Sequence, residues 1–315
     1  MDKMNIEKAY ERIKDYVIKT PLVKSHSLSK DNVNIYLKLE SFQYTNAFKF
    51  RGALNKVLSL KEANSTKKII ACSSGNHAQG ISLASSMFGI KADVYMPSSA
   101  PDAKVEGTKK YGANVILCEG TFDDAKAECL KNLDDNSVFV SPFDDPEIIA
   151  GQGSIGIEIM DQLKTVDTIL IPIGGGGALG GISSYIKAIN PNIKIIGVEP
   201  ENAASMKASY EAKKIVPFLK GSSLADGCLV EVVGDNTFAL AMKNVDYFIS
   251  VNETEIKDAI TFLANKHKLI IEGAGACTTA AILANKVKDE DLIDKNVVLM
   301  VSGANIDLNK FKELV

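Results

Sequence analysis

The sequence predicts an α/β protein built on mostly parallel sheet, and two observations carry that expectation. Short apolar runs alternate with helix-period patterns about 10 to 15 residues long, the spacing of βαβ units. At two places an apolar run passes directly into glycines or small polar residues and then into a helix. In chain order, the alternating Ile35, Leu37 and Leu39 read as the first strand, and Lys49 stands at the start of a helix soon after it. Further strands are expected at 69–73, 92–96, 114–118, 138–141, 168–173, 193–199, 246–251 and 297–301. Ile81, Leu83, Ala84 and Met87 give a helical face after the 69–73 run, and a small-residue helix to about Ala188 follows 168–173. The elements fall into a compact βα series from about 54 to 145 and a second series from about 148 onward.

Composition narrows the class without choosing a function. The 315 residues, 46% hydrophobic and 24% charged, can bury a large core in one big domain or two. A net charge of −3 gives no reason to expect nucleic acid or an anionic membrane as partner. Five cysteines, Cys72, Cys118, Cys129, Cys228 and Cys277, form no CxxC pair and suggest neither a disulfide framework nor a zinc site. They read as reduced, cytoplasmic thiols. Nowhere do 18 apolar residues run together, so no membrane span is expected.

Three segments carry chemistry. In Phe48-Lys49-Phe50 the lysine has little polar company besides Arg51, and the flanking rings strip its hydration, which favours the neutral, nucleophilic amine. The bland alternative is a lysine snorkelling from a helix edge. Gly174-Gly175-Gly176-Gly177, with Ala178 opening the next helix, allows backbone N–H groups to converge on a phosphate. Ser73-Ser74-Gly75-Asn76-His77 is a second strand-to-helix junction, rich in hydroxyl and amide groups; serine and asparagine there also serve as plain helix caps. An amine, a phosphate cup and a polar loop are the parts needed to hold an aldehyde cofactor that carries a phosphate.

With Ser302-Gly303-Ala304-Asn305 and Glu272-Gly273-Ala274-Gly275-Ala276, these segments resemble the serine/threonine dehydratases and serine racemases, pyridoxal-phosphate enzymes of the tryptophan-synthase-β fold type (fold type II). The likeness runs from Thr20-Pro21-Leu22 to Asn305-Ile306-Asp307. It implies a large cofactor-binding domain of residues 1–53 and 146–315, a small inserted domain of 54–145, and a homo-oligomer, dimer or tetramer. It implies Lys49 as covalent anchor of pyridoxal 5′-phosphate and general base, Ser302 at the pyridine nitrogen, Asn76 at the ring hydroxyl, and Phe48 beside the cofactor. Gly174, Gly175, Gly176, Gly177 and Ala178 would hold the phosphate, and Ser73, Ser74, Asn76 and His77 the substrate carboxylate. Ser74 also matches the serine that racemases use as the acid opposite the lysine. The activity implied is loss of water from L-threonine or L-serine to a 2-oxo acid and ammonia. A serine or hydroxyaspartate racemase/dehydratase on the same site is the alternative. Phe143-Asp144-Asp145 favours the threonine dehydratases. The chain departs from the family in Thr45-Asn46-Ala47, where Thr-Gly-Ser is commoner, and Ala47 lacks the hydroxyl.

A rival of another class uses the same glycines. Gly175 through Gly180 matches GxGxxG, and Glu199 stands 19 residues on, where an NAD-dependent dehydrogenase puts its ribose-binding acid. That reading leaves Lys49 and the Ser73–His77 loop unexplained. A non-catalytic binder of a phosphate ligand is the third class. Under the pyridoxal reading Glu199 is either structural or helps to bind a cation; with the carbonyl of Ala203 and Ser205 it offers one carboxylate, a weak cage for a hard cation, so a divalent cation is possible but not predicted.

Overall fold

The computed structural model describes residues 1–30, 32–100, 102–219 and 221–315. In chain order the elements are α1 (Lys3–Ile13), β1 (Leu22–Lys24), β2 (Val33–Leu39), α2 (Lys49–Glu62), β3 (Lys68–Cys72), α3 (Asn76–Met87), β4 (Ala92–Pro97), α4 (Asp102–Lys110), β5 (Asn114–Cys118), α5 (Phe122–Lys131), β6 (Ser137–Phe139) and α6 (Pro146–Gln162). They continue with β7 (Thr168–Pro172), α7 (Gly177–Ile189), β8 (Lys194–Pro200), α8 (Ser205–Ala212), α9 (Asp235–Asn244), β9 (Tyr247–Val251), α10 (Glu253–Phe262), α11 (Gly273–Leu283), β10 (Lys295–Val301) and α12 (Leu308–Leu314).

Two sheets result. One has the order β1-β2-β10-β7-β8-β9, with only β1 antiparallel to its neighbour; the other, β5-β4-β3-β6, is wholly parallel. Helices cover both faces of each, so strands are apolar on both sides. Along β10, Val297, Leu299 and Val301 point into one core while Val298 and Met300 point into the other. In β3, Ile69 and Ala71 face the α2–α3 side, and Ile70 and Cys72 face α5. Every strand expected from the sequence is present. The addition is β1, three residues on the sheet's edge and too short to display a period.

Arg51 is the main surprise in the frame. It is fully buried, donating to Glu40 at 2.8 Å and to Glu158 at 2.7 Å, while Lys38 donates to Glu158 at 2.6 Å. This group of four charges ties the first turn of α2 to β2 and α6. It corrects the expectation that Arg51 keeps Lys49 company, because Arg51 points into the interior instead.

Candidate active site

Lys49, Phe48 and Phe50 are consecutive at the start of α2, so their side chains leave the axis about 100° apart. Phe50 is fully buried in the α2–α3 core, Phe48 packs against the large sheet's core, and Lys49 is left to enter the cleft between the sheets. Its Nζ donates to the carbonyl of Pro142 at 2.7 Å and lies 5.3 Å from the Phe48 ring centroid. Desolvation brings the amine down to about 8, against the pull of Cys228 and Glu272. The dehydration inferred from the flanking rings is therefore present, though the deeper surroundings contribute as well.

The turn before Lys49 is zipped to the end of β10. Phe48 N–H donates to the Ser302 carbonyl at 3.1 Å, Ala304 N–H to the Asn46 carbonyl at 2.9 Å, and the Asn305 amide to the Thr45 carbonyl at 2.7 Å. Thr45 and Asn46 take positive φ, 62° and 54°. Asparagine tolerates that region, which is how Asn46 serves where glycine is commoner in the resembling enzymes. Ala47 is fully buried and bridges to Gly303.

The Gly174–Gly177 turn follows β7 and runs into α7. Its walls are set by neighbours: a side chain at Gly175 would collide with the Phe143 ring, one at Gly177 would crowd the Phe143 backbone, and one at Gly174 would crowd Gly227 and Cys228. Gly176 has φ +88°, a left-handed conformation that glycine adopts without strain. Ala178 follows in the first turn of α7. Ser73, Ser74 and Gly75 follow β3 into α3, and a Cβ at Gly75 would meet no protein atom within 4 Å.

Capping differs among the helices, and α8 and α9, without a cap of their own, take the distant carboxylates of Glu199 and Asp144. Side chains of Asp2, Thr121, Asp145, Asn252 and Asp307 cap α1, α5, α6, α10 and α12. The helices that open on the cleft, α2, α3, α7 and α11, have no side-chain cap. The first-turn N–H groups of α3 and α7 remain available to anions, whereas in α2 the Gly52 N–H already donates to Gln152.

The structure brings Asn76 and Ser302 into the same cleft. The Asn76 amide donates to Glu272 at 2.7 Å and accepts from Asn305 at 2.7 Å. Ser302 is buried directly after β10. His77 is 2% exposed, with Nε2 3.2 Å from the Val140 carbonyl and Nδ1 without a partner. Burial and Lys49 push the imidazole down to about 3, so it is neutral. Its side chain braces the 140–142 segment, and His77 can offer a carboxylate its backbone N–H. Glu272 is the residue that sequence reasoning leaves without a role. It is 5% exposed, and burial together with Asp226 raises its carboxyl to about 7.

Glu199 ends β8 as expected, and of the readings open to it the structural one holds, not the ribose acid. It is fully buried, and its two oxygens accept the Met206 and Lys207 N–H groups at 2.9 and 2.8 Å, capping α8. A ribose has no access to it. The carbonyl of Ala203 and the unpartnered hydroxyl of Ser205 add only neutral oxygens beside that committed carboxylate, a donor set that does not fit a divalent cation.

The desolvated amine with its lowered proton affinity, the uncapped glycine turn at α7, the open face of Gly75 and the neutral hydroxyl of Ser302 suit a phosphate-bearing aldehyde with a pyridine ring. Among the described residues no helix is long and apolar enough to cross a membrane. A profile of the family described as pyridoxal-phosphate dependent enzyme matches residues 13–303. The chain is 44% identical over 314 residues to the catabolic L-threonine dehydratase TdcB of Staphylococcus aureus, covering 99% of this chain and 91% of that one. Among solved structures, maize serine racemase superposes with a TM-score of 0.93 at 33% identity, covering 99% of this chain and 96% of that one. The processed form of threonine deaminase isoform 2 from Solanum lycopersicum superposes with a TM-score of 0.89 at 35% identity, covering 100% and 94%. The order of strands, the lysine at the head of α2, the glycine turn and these likenesses agree: the chain belongs to the pyridoxal-phosphate dependent enzymes of fold type II.

Proposed function

We propose that this protein eliminates water from L-threonine or L-serine, and that the enamine released takes water back on hydrolysis to give a 2-oxo acid and ammonia. The observation that carries the reading is Lys49, an amine drawn toward neutrality at the point where the uncapped ends of α3 and α7 open on one cleft. Pyridoxal phosphate, when bound, supplies an electron-withdrawing imine and ring that acidify the substrate Cα–H. The chain does the rest. Lys49 anchors the cofactor, and once free and neutral it takes the Cα proton. Gly174, Gly175, Gly176, Gly177 and Ala178 hold the phosphate, and Phe48 flanks the lysine. The first-turn N–H groups of α3, with Ser73, Ser74, Asn76 and His77, hold the substrate carboxylate. Ser302 offers the ring nitrogen a neutral hydroxyl, which stabilises the carbanion less than a carboxylate does and so favours prompt loss of the β-hydroxyl.

The likeness to the Staphylococcus aureus L-threonine dehydratase across 99% of the chain supports threonine as substrate. The likeness to maize serine racemase supports a second activity, racemisation with Ser74 as the acid on the face opposite Lys49. Residues 54–145 as a small inserted domain belong to this reading, supported by all four strands of the second sheet falling within 68–139. So do a homo-oligomer, dimer or tetramer, and a cytoplasmic location. A panel of L-threonine, L-serine and 3-hydroxyaspartate, scored in parallel for 2-oxo acid and D-amino acid, tests the reading. Turnover of none of them to a 2-oxo acid contradicts it.

A further inference from the structure

Glu272 stands where three parts of the site meet. From the small-sheet side, the Asn76 amide donates to its Oε1 at 2.7 Å. From the end of β10, Gly303 lies so close that a side chain there would collide with the carboxylate, and the Glu272 N–H donates to the Gly303 carbonyl at 3.3 Å. Asn305, which donates to Asn76 at 2.7 Å, closes the loop. The amide of Asn76 thus has its oxygen fixed by Asn305 and its nitrogen fixed by Glu272, and it cannot flip without losing both bonds.

We propose that Glu272 is a positioning residue: its carboxylate holds Asn76 in one orientation across the cleft. The charged and titratable groups around Glu272 are Lys49 from α2, Lys104 from α4, and Asp226 and Cys228 from the turn before α9. Asp226 raises the carboxyl and Lys104 lowers it, and these two are themselves paired at 2.7 Å. The pair joins α4 of the small-sheet unit to the large-sheet unit, so the ionisation of Glu272 is coupled to an ion bridge over the cleft.

This rests on the reading in which Lys49 takes the cofactor and Asn76 faces its ring. Capture joins the Lys49 nitrogen to the aldehyde carbon with release of water, and it begins only after the ammonium has lost its proton. The test therefore uses full-length protein resolved from cofactor, adding pyridoxal 5′-phosphate and following Kd from mildly acidic to alkaline pH. In Glu272→Gln the shape survives and the charge is lost. Kd near neutral pH should weaken about fivefold, because a neutral acceptor holds Asn76 less tightly than an ionised one. Asp226→Asn changes only a surface residue and keeps the assay informative if the buried substitution fails to fold. Wild-type Kd should weaken on the acid side as Glu272 takes up its proton, and Asp226→Asn should move that limb to lower pH. Capture by wild type with an unmoved Kd in Glu272→Gln, or an unmoved acid limb in Asp226→Asn, overturns the proposal. No capture by wild type overturns the functional reading along with it.

Discussion

The ring of Phe143 occupies the space in which a side chain at Gly175 would stand. The glycine turn is thus shaped by a residue 32 positions away, and the same aromatic segment supplies, at Pro142, the carbonyl that receives Lys49. Anchor and cup share a wall.

That contact makes Gly175→Ala an overpacking change with a local outcome. A methyl group there must displace Phe143, at about 1–3 kcal/mol of stability. Cofactor affinity should fall at least about tenfold, since about 1.4 kcal/mol of distortion in the cup corresponds to a factor of 10. Adding Phe143→Ala removes the collision and should restore part of the affinity, read by titration with pyridoxal phosphate. A double variant no better than Gly175→Ala would show that the turn is shaped by something else.

Ser74→Ala separates elimination from racemisation inside one site. Elimination from an L-amino acid uses Lys49, while reprotonation from the other face needs an acid there, assigned to the Ser74 hydroxyl. The substitution should suppress D-isomer formation and consumption far more than dehydration of the L-substrate, because α3 keeps its N–H groups. Chiral chromatography beside a 2-oxo acid assay reads both branches. Equal loss of both makes Ser74 a binding or structural residue.

Ser302→Asp should place a carboxylate at the ring nitrogen and lengthen the life of the carbanion. Dehydration should slow while a transamination product appears in the same reaction. Unchanged partitioning means that Ser302 does not face the nitrogen.

The pH dependence of stability has a definite sign at Glu199. Burial pushes its carboxyl up to about 8 from the ordinary 4.5, against the N–H groups of Met206 and Lys207. The folded state therefore binds this proton more tightly than the unfolded state. The resulting stability is complete below the unfolded pKa and is lost as pH rises through the folded one. Glu272, raised to about 7, acts in the same direction. Glu199→Gln should flatten the fall of Tm between about pH 5 and 8, with a difference of a few degrees at the alkaline end, about 2–4 °C per kcal/mol. Parallel Tm curves for wild type and variant would remove Glu199 as the source.

Much of this arrangement is legible in the sequence because each segment announces itself locally. Ser73–His77, Gly174–Gly177 and Ser302 all follow an apolar strand directly, at the carboxyl ends of parallel strands where α/β sheets bind ligands. Lys49 is marked by its two phenylalanines. What cannot be read depends on pairing between distant positions. Asn76 meets Glu272 across 196 residues and Asn305 across 229, and no local period reports either contact. Arg51 reads as polar company for Lys49 because its partners Glu40 and Glu158 lie on other elements. Glu199 misleads for the complementary reason. Its position matches a ribose acid, whereas its oxygens are already taken by the start of α8.

The central claim is that Lys49 is the amine that takes the cofactor, and one measurement addresses it directly. Wild-type protein and Lys49→Ala are each incubated with pyridoxal 5′-phosphate, reduced with borohydride and digested, and the modified peptide is mapped by mass spectrometry. The account predicts a single stable adduct on Lys49 in the wild type. It predicts none at the site in Lys49→Ala, together with loss of 2-oxo acid formation and a folded far-UV circular dichroism spectrum. An adduct on another lysine, or turnover by Lys49→Ala above trace level without added amine, would contradict it.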